Sequence, residues 1–194
     1  MIPALLLILV AVLYRFAAAL VVQHGGAGWL ANFAPLAAIA LCAAIYFPRK
    51  YKFAVPFAAL LISDLALDYY YGASLADPLI LCRYAAFGLV GLLGLAISRR
   101  ASLATIIPAS LVGSTLFYGV TNFFSWLTDP GYVKNFAGLI QALTVGLPLY
   151  TPTWVFFRNS LVSDLFFTLL FVACMHWSAA AERRAVVVPR PLPS

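Results

Sequence analysis

The chain alternates between long apolar stretches that carry almost no charge and short clusters of basic residues. It has twelve lysines and arginines and six acidic residues among 194 residues, and 64% of its residues are hydrophobic. A soluble domain does not tolerate so few charges, whereas basic loops between apolar spans are typical of a membrane protein whose basic side faces the cytoplasm. Eight of the twelve basic residues form three such clusters, namely Arg49, Lys50 and Lys52, then Arg99 and Arg100, then Arg183, Arg184 and Arg190.

The net charge of +6 could also indicate a nucleic-acid partner. The positive charge lies in short loops between apolar spans, however, so membrane orientation explains it better than binding to a polyanion. We therefore predict a lipid bilayer as the surroundings of the chain and no nucleic-acid partner. The three cysteines lie in apolar stretches and cannot all pair, so no disulfide framework is expected.

The length of the apolar stretches predicts the fold class. A helix needs about 20 residues to cross the hydrocarbon core, so we predict an all-α polytopic membrane protein with six transmembrane helices. These form one domain, residues 1–180, and a proline-rich cytoplasmic tail, residues 181–194, is expected to lack regular structure. The stretch 138–150 is too short to cross and is expected to re-enter the membrane or lie at its interface. The predicted spans are residues 2–22, 33–47, 53–70, 79–97, 103–127 and 157–178.

Six crossings with both termini in the cytoplasm place all three basic clusters on the inner side. Arg15, Asp64 and Asp164 then fall inside the membrane. Intramembrane charges usually face the bundle and pair, so one interpretation is that Arg15 pairs with Asp64 or Asp164 and holds the helices in register. The alternative is a relay for protons or cations. Asp68 follows Asp64 by one helical turn and would extend this charge network outward.

A short internal similarity links the two halves of the chain. Asn32-Phe33-Ala34 and Ser63-Asp64-Leu65 recur as Asn135-Phe136-Ala137 and Ser163-Asp164-Leu165. Either an ancestral duplication, as in many transporters, or chance accounts for the match.

Cys82 is the cysteine at which chemistry is expected. It follows Pro78 at the outer start of the fourth span and adjoins Arg83, and both a guanidinium and the positive end of a helix favour the thiolate. A thiolate binds soft or borderline metals, but one cysteine without a nearby histidine cannot build a protein metal site. A metal at Cys82 would therefore arrive already held in its own chelate. The alternative, accepted for Cys42 and Cys174, is a small apolar residue.

Aromatic side chains collect on the predicted outer side, while the inner side has chiefly Tyr46, Tyr51 and Trp177. An interfacial belt collects Trp and Tyr, but a one-sided collection beside long loops also suits the mouth of a site for a large, partly apolar ligand. The predicted ligand-binding residues are Cys82, Arg83, Tyr84, Asp68, Tyr69, Tyr70, Phe33, Phe124 and Tyr132.

Several segments resemble one family of small bacterial membrane proteins. They are NFAPLAAIAL, ALLISDLALDYY, GSTLFYGVTNFFSWL, DPGY, NFAGLIQAL and LVSDLFF. Over residues 30–172 the chain resembles proteins related to the substrate-binding S components of energy-coupling-factor vitamin transporters. Among these it is most similar to the solitary cobalamin transporters of the BtuM type, which are marked by a cysteine at the position of Cys82 in PLILCRYAAFG.

The resemblance implies a six-helix S-component fold that holds its substrate under the first, third and fifth loops on the outer face. It further implies that the Cys82 thiolate binds the cobalt of cobalamin axially and displaces the upper ligand. S components that dock a shared transmembrane partner carry spaced small residues on the first helix. Here Ala17, Ala18, Ala19 and Val21 are a loose version of that pattern, interrupted by Arg15, so an ATPase module is a doubtful partner.

The resemblance thus implies cobalamin uptake across the bacterial cytoplasmic membrane. Two alternatives stay open, an S-component-like importer of another vitamin or small solute, and a membrane scaffold that transports nothing. The chain has no phosphate-binding loop, zinc-protease motif or nucleophile elbow. We therefore expect no enzyme activity beyond incidental removal of an axial cobalt ligand, no catalytic residues and no catalytic cofactor, with cobalamin as the transported ligand.

Overall fold

The computed structural model describes residues 2–25, 33–72, 78–148 and 150–187. Every regular element within those ranges is a helix, and a 3₁₀ turn at Ser98–Arg100 joins two of them. The helices are α1 (Ile2–Gln23), α2 (Leu36–Tyr46), α3 (Ala54–Tyr71), α4 (Pro78–Ile97), α5 (Leu103–Thr128), α6 (Phe136–Ala142) and α7 (Thr153–Val187).

Four of these helices, α1, α4, α5 and α7, are long and apolar enough to cross a membrane. Helix α2 is apolar but has only 11 residues. Helix α3 has 18 residues, and its two aspartates and three tyrosines lower its hydropathy. The composition and length of the helices therefore define an all-α, membrane-embedded protein.

The stretch 138–150 agrees with the prediction that it is too short to cross, whereas both ends of α7 differ from the sequence prediction. The stretch 138–150 contributes to one seven-residue helix, α6, which is far too short to span a bilayer. Helix α7 starts at Thr153 rather than 157 and continues through 181–187, where the sequence predicted an irregular tail. Its alanines, Glu182 and the two following arginines are good helix formers, which explains the extension. Residues 188–194 of the predicted tail lie outside the described residues.

Helix α2 is the centre of the bundle. Residues 37–44 are all buried, and the helix packs chiefly against α4, α7 and α5. A helix that is apolar on every side suits either a protein interior or lipid, and here other helices surround it. Its contact with α4 is close, because a Cβ added at Gly94 would lie 2.6 Å from the carbonyl oxygen of Leu41. Small residues commonly allow such approaches between helices in membranes.

Helices α1 and α3 run side by side in the same direction. Arg15 on α1 contacts Asp64 on α3, and further along both helices His24 Nε2 lies 3.4 Å from the Tyr70 hydroxyl.

Helices α3 and α4 run antiparallel, because Arg83 near the start of α4 contacts Asp64 in the second half of α3, whereas Phe53 at the start of α3 lies against Gly91 further along α4. The end of α3 and the start of α4 therefore lie at one end of the bundle, and Ser98–Arg100 lies at the other, where it contacts α2.

Candidate functional site

Three charged residues from three helices meet inside the bundle. Asp64 Oδ1 accepts hydrogen bonds from Arg15 Nη2 at 2.6 Å and from Arg83 Nη1 at 3.0 Å. The side chains of Asp64, Arg15 and Arg83 are 4%, 12% and 23% exposed, so these ion pairs are largely shielded from solvent. We call these three residues the charge triad. It joins α1, α3 and α4, and its two guanidinium groups share one carboxylate.

Ser63 extends the triad. Arg15 Nη1 donates a hydrogen bond to Ser63 Oγ, which in turn donates to the carbonyl oxygen of Leu60 at 2.9 Å. The second carboxylate oxygen of Asp64 is buried and has no hydrogen-bond partner in the described part of the chain. Both guanidinium groups therefore use the same oxygen of Asp64.

Asp164, the aspartate of the recurring Ser-Asp-Leu segment, has different partners. Its Oδ1 accepts a hydrogen bond from the backbone N–H of Ala38 at 2.9 Å, and its Oδ2 accepts one from the Ser114 hydroxyl at 2.7 Å. Ala38 lies in the first turn of α2, whose N-cap residue Pro35 provides no side-chain hydrogen bond. Asp164 thus caps α2 from α7, and the positive end of the helix stabilises the carboxylate.

A cavity of about 570 Å³ lies between the triad and Asp164. This volume falls in the range of about 300–1,000 Å³ that is usual for small-molecule sites. Arg15 and Arg83 line one part of the cavity, Asp164 and Ser160 another, and Ala34 and Leu36 border it at the start of α2. The cavity therefore combines an apolar surround with two arginines, one aspartate and the end of a helix.

A polar face of α5 completes the lining of the cavity. None of its residues is among the ligand-binding residues predicted from the sequence. Tyr118, Thr121, Asn122 and Ser125 all line the cavity. Their spacing of three and four residues places them on one face of a helix. That periodicity, within a span that is otherwise apolar, is the signal that would have identified them. The Asn122 amide donates to the Tyr118 carbonyl at 2.8 Å, so its side-chain oxygen is oriented by the helix itself.

Cys82 lies next to the cavity but is not among its lining residues. The thiol is free and half-buried, and its Sγ lies 3.7 Å from the carbonyl oxygen of Val120 on α5. Its neighbour Arg83 faces the cavity. Tyr84 points toward α3, where its ring centroid is 6.1 Å from that of Phe57, and its hydroxyl is buried near the Asp64 carboxylate.

The predicted residues at the end of α3 do not converge on the cavity. Tyr69 is 92% exposed, and Tyr70 packs its ring 6.2 Å from Phe16. Asp68 is half-buried and forms no ion pair with a described residue, and its Oδ2 is buried without a partner there. Phe33 packs edge-on against Tyr14 at 5.8 Å and belongs to the border of the core.

The two remaining predicted residues lie on α5 and in the segment after it. Phe124 is half-buried and Tyr132 follows the turn at Asp129, whose carbonyl oxygen accepts the Tyr132 N–H at 3.3 Å. Burial raises the pKa of Tyr132 above its ordinary value, and the negative charge of Asp129 adds to this shift. Neither residue lines the cavity, although Tyr150, further along the same segment, does.

A metal site built from protein side chains alone needs several ligands close together. Within the described ranges, no three His, Cys, Asp or Glu side chains come together as a group that could hold a metal ion. Cys82 is the described thiol nearest to the triad in sequence, and it can provide one ligand to a metal that brings the others.

The helices and the cavity define a helical membrane protein with a charged internal site. The chain belongs to a family described as a family of unknown function (DUF6580), whose model matches residues 1–187. No curated protein and no solved structure matches the chain.

Proposed function

We propose that this protein takes up cobalamin or a related corrinoid across the bacterial cytoplasmic membrane. In this proposal the substrate enters from the outer side, where α3 ends and α4 begins, and the Cys82 thiolate binds its cobalt axially. The helices form six crossings with both termini in the cytoplasm, in an S-component-like bundle, and rearrangement of the bundle delivers the substrate inward.

The observation that carries a transport function is the cavity at the start of α2. Helix α2 is about 16 Å long at 1.5 Å per residue, roughly half of the hydrocarbon thickness, and the non-helical residue Ala34 just before it lines the cavity. Irregular backbone within a membrane is tolerated where it is buried in protein or lines a cavity. Many transporters form their substrate sites at helices that begin inside the membrane beside non-helical backbone.

Two facts support Cys82 as the cobalt ligand. It is a free, half-buried thiol, in contrast to the fully buried Cys42, and it lies beside Arg83, which lines the cavity. To bind cobalt, the thiol has to turn away from the Val120 carbonyl. Cobalamin is larger than the cavity, so in this proposal part of the substrate enters it and the corrin ring stays at its mouth.

The test is optical. Purified protein incubated with cobalamin should show corrin absorption bands that shift on binding, because a thiolate replaces the upper axial ligand. Cys82→Ala should abolish that shift, and Cys174→Ala, which changes another half-buried thiol, should keep it. Wild-type protein that binds no corrinoid would refute the proposal.

One observation favours a second candidate, an importer of a smaller solute in which Cys82 is structural. Cys82 Sγ contacts a backbone carbonyl of α5 and does not line the cavity. In that case Cys82→Ala leaves uptake unchanged and Arg83→Gln abolishes it. A scaffold that transports nothing would show no saturable ligand and would tolerate neutralisation of Arg83.

A further inference from the structure

The charge triad has an excess of positive charge. Arg15 and Arg83 carry two positive charges and Asp64 carries one negative charge, so one positive charge is left over. Asp64 does not line the cavity, and Asp164 is the one acidic residue among the described residues that does, but no described ion pair joins Asp164 to an arginine. Its two oxygens are already engaged by the Ala38 N–H and the Ser114 hydroxyl.

The arginines also have hydrogen-bond donors to spare. A guanidinium has five N–H donors, and the bond to Asp64 occupies one donor of Arg83 among the described residues. Arg83 and Arg15 both line the cavity. An uncompensated cation in a membrane protein is costly and usually marks a functional site. Arginine is also well suited to carboxylates and phosphates, because its planar fork can donate two parallel hydrogen bonds.

We infer that the cavity binds the anionic group of a solute, a carboxylate or a phosphate, at the guanidinium groups of Arg15 and Arg83. Asp64 holds both arginines on one carboxylate oxygen and so orients them toward the same space. The polar face of α5 provides further hydrogen-bonding groups, among them the side-chain oxygen of Asn122. This inference deepens the proposed role as a solute-binding transporter, but it does not depend on the solute being a corrinoid.

The first experiment titrates the purified full chain with inorganic phosphate and, separately, with acetate at constant ionic strength, and follows thermal stability. We expect saturable stabilisation by at least one of the two anions, and the comparison shows which chemistry is preferred. Arg83→Gln should weaken that binding by about tenfold or more, the usual size of a charge-assisted hydrogen bond. Arg158→Gln is the matched control, because Arg158 lies over Trp154 and does not line the cavity.

A second variant gives a gain of binding, which misfolding cannot imitate. Asp64→Asn removes the negative charge that the two arginines share but keeps one acceptor oxygen that can hold them, so the anion should bind more tightly than to wild type. Absence of anion binding to wild type, or equal anion affinities of wild type, Arg83→Gln and Asp64→Asn, would overturn the inference.

Corrinoids separate this inference from the proposed function. Cobalamin carries one phosphodiester, and cobinamide lacks it. Phosphate that competes with cobalamin but not with cobinamide supports both proposals. Equal binding of both corrinoids, with no competition by phosphate, overturns the anion site and keeps corrinoid uptake. Binding of simple anions without any corrinoid keeps the anion site and overturns corrinoid uptake.

Discussion

Asp164 and Ala38 are 126 positions apart in sequence, and the carboxylate of the first accepts the backbone N–H of the second at 2.9 Å. This bond provides the N-terminal cap that α2 lacks in its own sequence, where Pro35 precedes the first helical residue. Because α2 is the buried centre of the bundle, the cap fixes both the start of that helix and one wall of the cavity.

We therefore expect Asp164→Ala to destabilise the protein. The change leaves the buried Ala38 N–H without its acceptor, which costs about 1–3 kcal/mol for an unsatisfied group. The Ser114 hydroxyl also loses its bond to Asp164, but it can still donate to the Ser110 carbonyl oxygen at 3.0 Å. Asp164→Asn keeps one acceptor oxygen and should lose less. Thermal unfolding in detergent measures both variants, and an Asp164→Ala protein as stable as wild type would contradict the capping role.

The charge triad should respond to substitution in a non-additive way. Arg15→Gln leaves Arg83 to neutralise Asp64, and Arg83→Gln leaves Arg15, so each single change should be tolerated. The double variant leaves a buried carboxylate without a cation, a situation that costs about 3–5 kcal/mol.

A double-mutant cycle by thermal unfolding measures this coupling. Adding Asp64→Asn to the double variant should restore part of the lost stability, because the unpaired charge is removed. Additive effects of the two arginine changes would show that they do not share Asp64 in the folded protein.

The close contact between α2 and α4 predicts sensitivity at Gly94. A Cβ at this position would meet the Leu41 carbonyl oxygen at 2.6 Å and the Ala44 Cβ at 2.9 Å, so Gly94→Ala should push the helices apart and cost about 1–3 kcal/mol. Gly119→Ala is the matched control on α5, where an added Cβ has nothing within 4 Å. We expect the control to be neutral or slightly stabilising, and equal effects at the two glycines would disprove the packing argument.

The predicted topology can be tested with single cysteines in a cysteine-free chain. Arg100→Cys and Val133→Cys both lie on exposed surface at opposite ends of α5. With six crossings and cytoplasmic termini, a membrane-impermeant maleimide added to intact spheroplasts should label position 133 and leave position 100 unlabelled. Labelling of position 100 alone would reverse the orientation, and labelling of both from one side would exclude α5 as a crossing.

Much of the fold was predictable from the sequence because the apolar stretches have the length that lipid demands. Each of the six predicted spans overlaps a helix, and four of those helices, α1, α4, α5 and α7, are long and apolar enough to cross a membrane. The stretch 138–150 lies partly in α6, which is too short to span a bilayer. The spacing of Tyr118, Thr121, Asn122 and Ser125 also predicts a polar face on α5. Helix α7 is longer than the sequence predicts, because it continues to Val187, close to the first proline of the tail at Pro189.

The sequence did not predict which residues each buried charge contacts, as Asp64 and Asp164 show. Ser63-Asp64-Leu65 and Ser163-Asp164-Leu165 are alike in sequence, and each aspartate is buried on a helix. Sequence allowed Arg15 to pair with either. In the fold Arg15 and Arg83 both bind Asp64, while Asp164 binds the start of α2 and Ser114.

By itself, the sequence determined that the chain is helical and membrane-embedded, and that a few charges lie within its apolar spans, because hydropathy and charge are properties of local segments. The tertiary structure alone decided which charges meet, since that depends on which helices pack together and how each is rotated. It therefore separated a charge triad with spare positive charge from a helix-capping aspartate, and it placed the cavity between them.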